Sequence, residues 1–268
     1  MPAEPPVFRL HEGQLPLLIS MPHDGTAIPA RLRDEFRDSA RGVPDTDWHI
    51  ATLYEFAAAL GASLLVPGYS RYVVDLNRPA DGSALYPGRI ETGLCPLVTF
   101  AGEPLYRPGR EPDADELARR RNDYWQPYHT ALRDELARLR AAHPQVLLWE
   151  AHSIRSEVPM LFEGRLPDLN LGTADGASCA PAVRQALMDC LHQQSAYSWV
   201  VDGRFKGGYI TRHYGQPIRG IHAVQLEVAQ LTYMDEQTFR YDARRAGRLR
   251  GLLERQLQAA LAALTCKE

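Results

Sequence analysis

Two hydrophobic periods alternate along the chain. The run Leu15-Pro16-Leu17-Leu18-Ile19-Ser20-Met21-Pro22-His23 is short and apolar, as a buried strand is. It stops at Pro22, and Asp24-Gly25 is a loop signal. Asp45-Thr46-Asp47-Trp48 then opens a helical stretch. Ile50, Leu53, Tyr54, Ala57 and Leu60 recur there at three- and four-residue spacing until Gly61 closes it. Residues 62–66 and 72–76 read as two short strands. A long helix is expected from about 115 to 142, with Leu117, Tyr124, Tyr128, Leu132, Leu136 and Leu139 on one face. Pro127 is expected to kink or split it, because proline lacks the N–H and clashes with the preceding turn. Val146-Leu147-Leu148-Trp149-Glu150-Ala151-His152 is a second buried strand, again ending in histidine. A helix over 181–194 leads to a strand over 197–202. Residues 223–228 alternate polar and apolar, and a last helix over 236–263 carries Phe239, Ala243, Leu249, Leu253, Leu257 and Leu261.

Strands that alternate with helices predict the α/β class, with a single domain over 1–268 built on a mostly parallel sheet. Ligands of such sheets gather beyond the carboxyl ends of the strands, and both His23 and His152 sit at such ends. One stretch keeps neither period. Eleven of the forty Gly and Pro residues fall between Pro79 and Asp113, so 79–113 reads as a long irregular loop and a candidate cover for a site.

Composition narrows the partners. Lys plus Arg is 30 against Asp plus Glu 33, a formal charge of -3, which offers no basic stripe for nucleic acid. Mean hydropathy is -0.33 and no apolar run approaches the roughly 18 residues of a membrane span, so neither nucleic acid nor membrane is expected as a partner. Four cysteines, Cys95, Cys179, Cys190 and Cys266, form no CxxC pair. With no basic-then-apolar leader at the N-terminus, they read as reduced thiols in the cytoplasm.

Candidate chemistry lies in three clusters. His23 and His152 at two strand ends, with an oxygen from Asp47 or Asp45, have the donor types that a divalent transition metal binds. The bland alternative is that the histidines bond backbone carbonyls and an aspartate N-caps the helix. Ser70-Arg71-Tyr72-Val73-Val74-Asp75-Leu76-Asn77-Arg78-Pro79 sets two guanidiniums around one apolar run. That group suits bidentate carboxylate recognition, and Asp75 could hold one arginine in place. Alternation in 223–228 puts Gln225 and Glu227 on one face, which makes Glu227 a candidate general base if that face looks at the site. Upstream, Phe205-Lys206-Gly207-Gly208-Tyr209-Ile210-Thr211-Arg212-His213-Tyr214-Gly215 is dense in glycine, aromatic and cationic groups.

The ordered set Ile19-Ser20-Met21-Pro22-His23-Asp24-Gly25, Asp45-Thr46-Asp47, Ser70-Arg71 to Asn77-Arg78-Pro79, Ala151-His152-Ser153, Gly207-Gly208-Tyr209 to Tyr214-Gly215, and Gln225-Leu226-Glu227 resembles the N-formylglutamate amidohydrolase (deformylase) family. The resemblance runs from about residue 16 to 234. It implies a three-layer α/β fold related to zinc carboxypeptidases and aspartoacylases. It also implies hydrolysis of N-formyl-L-glutamate to formate and glutamate in histidine degradation. The small-molecule substrate would be held by Asn77 and Arg78, with Arg212 as the second cation that a dicarboxylate needs. Zinc, or another divalent transition metal, would sit on His23, Asp47 and His152, with Glu227 as base and Arg71 at the oxyanion. Two departures stand out. Asp24 replaces the serine of the usual Pro-His-Ser-Gly motif. The carboxypeptidase spacing of His and Glu also fails, because position 26 is Thr26. Asp47 matches the family's acidic position, with Asp45 as fallback. The competing expectations are a related acyl-amino-acid or aspartoacylase-type hydrolase, and a non-catalytic binder of dicarboxylates.

Overall fold

A short edge strand, β1 (Phe8–His11), and six others, β2 (Leu17–Ser20), β3 (Ser63–Pro67), β4 (Val146–Ile154), β5 (Leu169–Gly172), β6 (Trp199–Val201) and β7 (Ile221–Ala229), join into one sheet. Their order is β1-β3-β2-β4-β7-β5-β6. The description comes from a computed structural model and covers residues 4–84 and 91–265. The pairs β2–β3, β2–β4, β4–β7 and β5–β6 are parallel, whereas β1–β3 and β5–β7 are antiparallel. The sheet is therefore mixed and mostly parallel, as expected.

Side-chain alternation divides the core into two layers. Leu17 and Ile19 of β2, Leu147, Trp149 and Ala151 of β4, and Val224, Leu226 and Val228 of β7 face one side. There they pack against α1 (Ile50–Leu53), α2 (Phe56–Leu60), α5 (Pro181–His192) and α7 (Ala243–Thr265). Leu18, Leu148 and Ala223 face the other side, against Tyr128, Leu132, Leu136 and Leu139 of α4 (Gln126–Ala142). With helices on both faces, the fold has three layers. The same alternation turns Glu150, His152, Gln225 and Glu227 toward the α4 side, where the site forms.

The sequence expectation needs correction at several elements. The helix expected over 115–142 begins as α3 (Ala114–Arg120), passes through a π-helical turn at Arg121–Trp125 and resumes as α4. Pro127 lies just inside α4, so the widened turn absorbs its missing N–H and ring clash. The first helical stretch is two short helices, because Glu55 N bonds back to Thr52 O and breaks the four-residue ladder. The expected strand at 72–76 is a chain of turns. Val73 N bonds to Ser70 O, Arg78 N to Asp75 O, and Asp75 N to Leu94 O. Its two valines are buried because residues of the long loop cover them, and burial alone mimicked a strand.

The last helix starts later than expected. Asp235 Oδ1 accepts from Gln237 N and Thr238 N, forming the turn of a two-stranded hairpin, β8 (Met234–Asp235) and β9 (Arg240–Tyr241). Asp242 Oδ1 then caps α7 through the N–H groups of Arg244 and Arg245. Phe239 packs on Trp48, ring centroids 5.4 Å apart, instead of riding on the helix. β1 and β5 have too little periodicity in four residues each to be read in advance. Six residues of the long loop, 85–90, lie outside the described residues, as does Cys266. Cys95, Cys179 and Cys190 are free thiols.

Candidate metal centre and active-site cavity

His23 follows the end of β2, where Asp24 N bonds to Met21 O and Asp47 N to His23 O. This turn carries the helix-opening Asp47 back over the strand end. His152 is on β4, in register with Glu227 on β7, so the two side chains leave the same face of neighbouring strands. His23, Asp47 and His152 are each 2–3% exposed, and their donor atoms lie within 4.8 Å of one another. Asp47 Oδ2 is 3.0 Å from His152 Nδ1 and 3.7 Å from His23 Nδ1. Three donors on a tetrahedral ion with bonds of about 2.0–2.1 Å sit about 3.3 Å apart, and these distances bracket that value.

Two further observations fit a cation. His23 Nδ1 is buried with no hydrogen-bond partner, a costly arrangement unless a ligand takes the lone pair. Each imidazole also turns its other nitrogen to a buried carboxylate. His23 Nε2 is 2.7 Å from Asp75 Oδ1, and His152 Nε2 is 3.3 Å from Glu150 Oε2. Such pairs orient metal-binding histidines and raise their basicity. Two nitrogens and one carboxylate oxygen form a donor set suited to zinc and its first-row neighbours.

The fallback ligand Asp45 is excluded from this cluster. Its Oδ2 accepts from Tyr72 OH at 2.6 Å and Phe100 N at 2.8 Å, so it tethers the long loop.

Around the cluster lies a small cavity that opens to solvent. Arg71, Asn77, Arg78 and Glu227 line it with the three metal candidates. From the long loop come Glu91, Thr92 and Phe100. Arg71 is buried, 2.7 Å from Asp75 Oδ2 and 3.9 Å from Asp47 Oδ1, with Phe100 stacked 4.9 Å from its guanidinium. Arg78 donates to Thr92 O, Thr92 Oγ1 and Asn77 O, which ties it to the long loop. Asn77 Nδ2 is 3.1 Å from His152 Nε2, while its Oδ1 accepts from Ile210 N of the short helix α6 (Tyr209–Tyr214). The Gly207-Gly208 pair makes that approach possible. A Cβ on Gly208 would come within 2.3 Å of Asn77 Nδ2.

The electrostatics separate acid from base. Burial pushes the Glu227 carboxyl up to about 8, with Asp47 adding to the shift and His152 and Arg71 opposing it. Burial also disfavours charge on Asp47, but the hydrogen bond from His152 and the nearby His23 outweigh it and hold the group well below the usual carboxylate range. His152 is drawn up to about 10, since its bonds to Asp47 and Glu150 overcome its desolvation. The site thus pairs an ionised Asp47 and a basic His152 with one carboxyl, that of Glu227, poised near neutrality.

Arg212 is exposed and turns its Nε to Gly207 O; it does not line the cavity. Lys206 pairs with Asp175 at 2.8 Å, and His213, also exposed, stacks on Tyr209. Ser153 lines the cavity, but its N–H supports Asp47 Oδ2 and its Oγ contacts Tyr233 OH at 2.7 Å, consistent with a supporting role. Sequence reasoning passed over Arg204 and Glu150. Glu150 was findable, since it lies two residues before His152 and so on the same strand face. Arg204, between Gly203 and Phe205, carries no periodic signal.

Comparison with known proteins identifies the family. The family model described as N-formylglutamate amidohydrolase matches residues 15–234. The N-formylglutamate deformylase of Pseudomonas putida is 52% identical over 257 residues, covering 96% of each chain. That of Pseudomonas aeruginosa is 53% identical over the same share. The crystal structure of N-formylglutamate amidohydrolase from Ralstonia eutropha JMP134 superposes with a TM-score of 0.80 at 25% identity, over 94% of this chain and 96% of that one. A fold match also exists to a gene product of Agrobacterium tumefaciens, with a TM-score of 0.69 at 18% identity, over 95% and 96% of the two chains. The chain belongs to the N-formylglutamate amidohydrolase family.

Proposed function

We propose that this protein is a metal-dependent amidohydrolase that converts N-formyl-L-glutamate to formate and L-glutamate, the last step of a histidine-degradation route. The observation that carries the reading is the buried His23–Asp47–His152 cluster with Glu227 in register beside it. A non-catalytic binder of dicarboxylates needs neither. The related proteins named for this substrate support the choice of acyl group. Free thiols at Cys95, Cys179 and Cys190 suit a reducing cytoplasm. No helix is long and apolar enough to cross a membrane among the described residues.

Zinc suits the donor set, and His23, Asp47 and His152 would hold it. A bound divalent ion supplies Lewis acidity that makes water nucleophilic near neutral pH and carries oxyanion charge. The protein does the rest. Glu227 takes the proton of the attacking water and returns it to the departing amine. Arg71, fixed by Asp75, stabilises the tetrahedral oxyanion, an effect typically worth about 3 kcal/mol per donor. Asn77 and Arg78 hold the α-carboxylate, which lies next to the scissile amide, just as Asn77 lies next to His152. Phe100, latched by Asp45, stacks on Arg71 and shields it from water.

The test is release of free formate, acetate or carbamate from matched N-formyl, N-acetyl and N-carbamoyl L-glutamates. The reading predicts turnover of the formyl compound at least tenfold above the others. A preference for the acetyl compound would reassign the protein to an acyl-amino-acid hydrolase, and no turnover of any would favour a binder.

A further inference from the structure

Glutamate carries a second carboxylate, and the cations already described do not account for it. Arg71 is committed to Asp75 and Asp47. Arg78 belongs with Asn77 at the reacting end. Arg212 is outside the cavity, and Lys206 is paired with Asp175. One more guanidinium lines the cavity, that of Arg204.

Its position is built. The segment after β6 is pressed onto β5, where Ala174 N bonds to Lys206 O at 2.6 Å. A Cβ on Gly172 would meet Gly207 N and Lys206 C at 2.7 Å, so glycine lets the two backbones meet. Arg204 Nε donates to Leu161 O at 2.8 Å. Its guanidinium lies 5.3 Å from the Phe205 ring centroid, and Phe205 meets Phe162 edge-on at 6.2 Å. Phe100, Leu161 and Phe205 belong to one apolar cluster and also line the cavity. The wall therefore joins an apolar surface, suited to methylenes, to a guanidinium anchored through its Nε, a group suited to a carboxylate.

We infer that Arg204 is a specificity-determining residue that receives the side-chain carboxylate of the substrate, with Leu161 and Phe205 packing on its methylenes. This rests on the proposed deformylase activity and specifies how that site recognises a dicarboxylate. The α-carboxylate is left to Asn77 and Arg78. The acidic neighbours lining the same cavity, Glu91, Glu227 and Asp47, disfavour a dianion unless a cation offsets them.

The experiment compares kcat/KM for N-formyl-L-glutamate and its neutral isostere N-formyl-L-glutamine in the wild type, Arg204→Gln and Arg204→Lys. The wild type prefers the glutamate compound. Arg204→Gln lowers kcat/KM for that compound by about ten- to a hundredfold, the range for losing a charged hydrogen bond, mainly through KM. Its activity on the glutamine compound stays within about threefold, a split that a merely structural role would not produce. Arg204→Lys keeps the charge without the fork and recovers part of the loss. Equal losses on both substrates, or an unchanged preference in Arg204→Gln, would overturn the inference while leaving the deformylase reading intact. So would a wild type that cleaves both compounds equally. A wild type that releases no formate from N-formyl-L-glutamate removes the activity itself, and the inference falls with it.

Discussion

Replacing Glu227 with glutamine will leave the metal in place and cut formate release by about 10²–10⁴-fold, the usual contribution of a positioned acid–base group. Glutamine has the same shape and fits the same register opposite His152, but it cannot take up a proton. Glu227 is not one of the metal candidates, which are His23, Asp47 and His152. The pH profile adds a second readout. A general base must be ionised, so the wild-type rate rises with pH through the pKa of Glu227. Burial pushes that group up to about 8, and a bound cation beside it would bring it down. The acid limb of kcat/KM is therefore expected below pH 8 in the metal-loaded wild type, and it disappears from the residual activity of Glu227→Gln. Near-normal turnover in that variant, with the limb retained, would remove Glu227 from the mechanism.

His152→Ala will lose both metal and activity. Outer-shell partners alone are worth about 10–100-fold in metal affinity, so loss of a ligand is expected to exceed 100-fold. His152 also anchors the surrounding network, touching Asp47, Glu150 and Asn77. Circular dichroism on the variant separates loss of the site from loss of the fold. The charge state makes a companion prediction for the wild type. His152 is drawn up to about 10 by Asp47 and Glu150, and an imidazole must be neutral to bind metal. Binding expels that proton, so metal affinity rises with pH between about 6 and 9. A pH-independent affinity, or full metal content in His152→Ala, would contradict the ligand assignment.

The site was more legible in the sequence than the loops that complete it. His23, Asp47 and His152 could be picked out because strand ends of an α/β sheet converge, and the two long apolar runs ended in histidine. Glu227 followed from period-two alternation on β7. The choice between Asp45 and Asp47 needed the turn that bonds Asp47 N to His23 O. Two residues of sequence separation decide there between a candidate metal ligand and a loop tether. The 72–76 segment misled because Val73 and Val74 are buried under the long loop, a tertiary effect that no local period carries. Arg204 lines the cavity where Arg212 does not, for a similar reason. Both lie near glycines and aromatics, and the packing of 205–207 onto Gly172, a contact between distant segments, goes with Arg204 reaching the cavity.

Under the proposed function, a metal on His23, Asp47 and His152 serves hydrolysis of N-formyl-L-glutamate. The most direct test measures bound metal and formate release on the same wild-type sample, as purified, after chelation and dialysis, and after titration with zinc. The account predicts close to one metal per chain, activity that falls at least 100-fold on chelation, and recovery in proportion to zinc bound up to one equivalent. Full formate release from protein stripped of metal would contradict it.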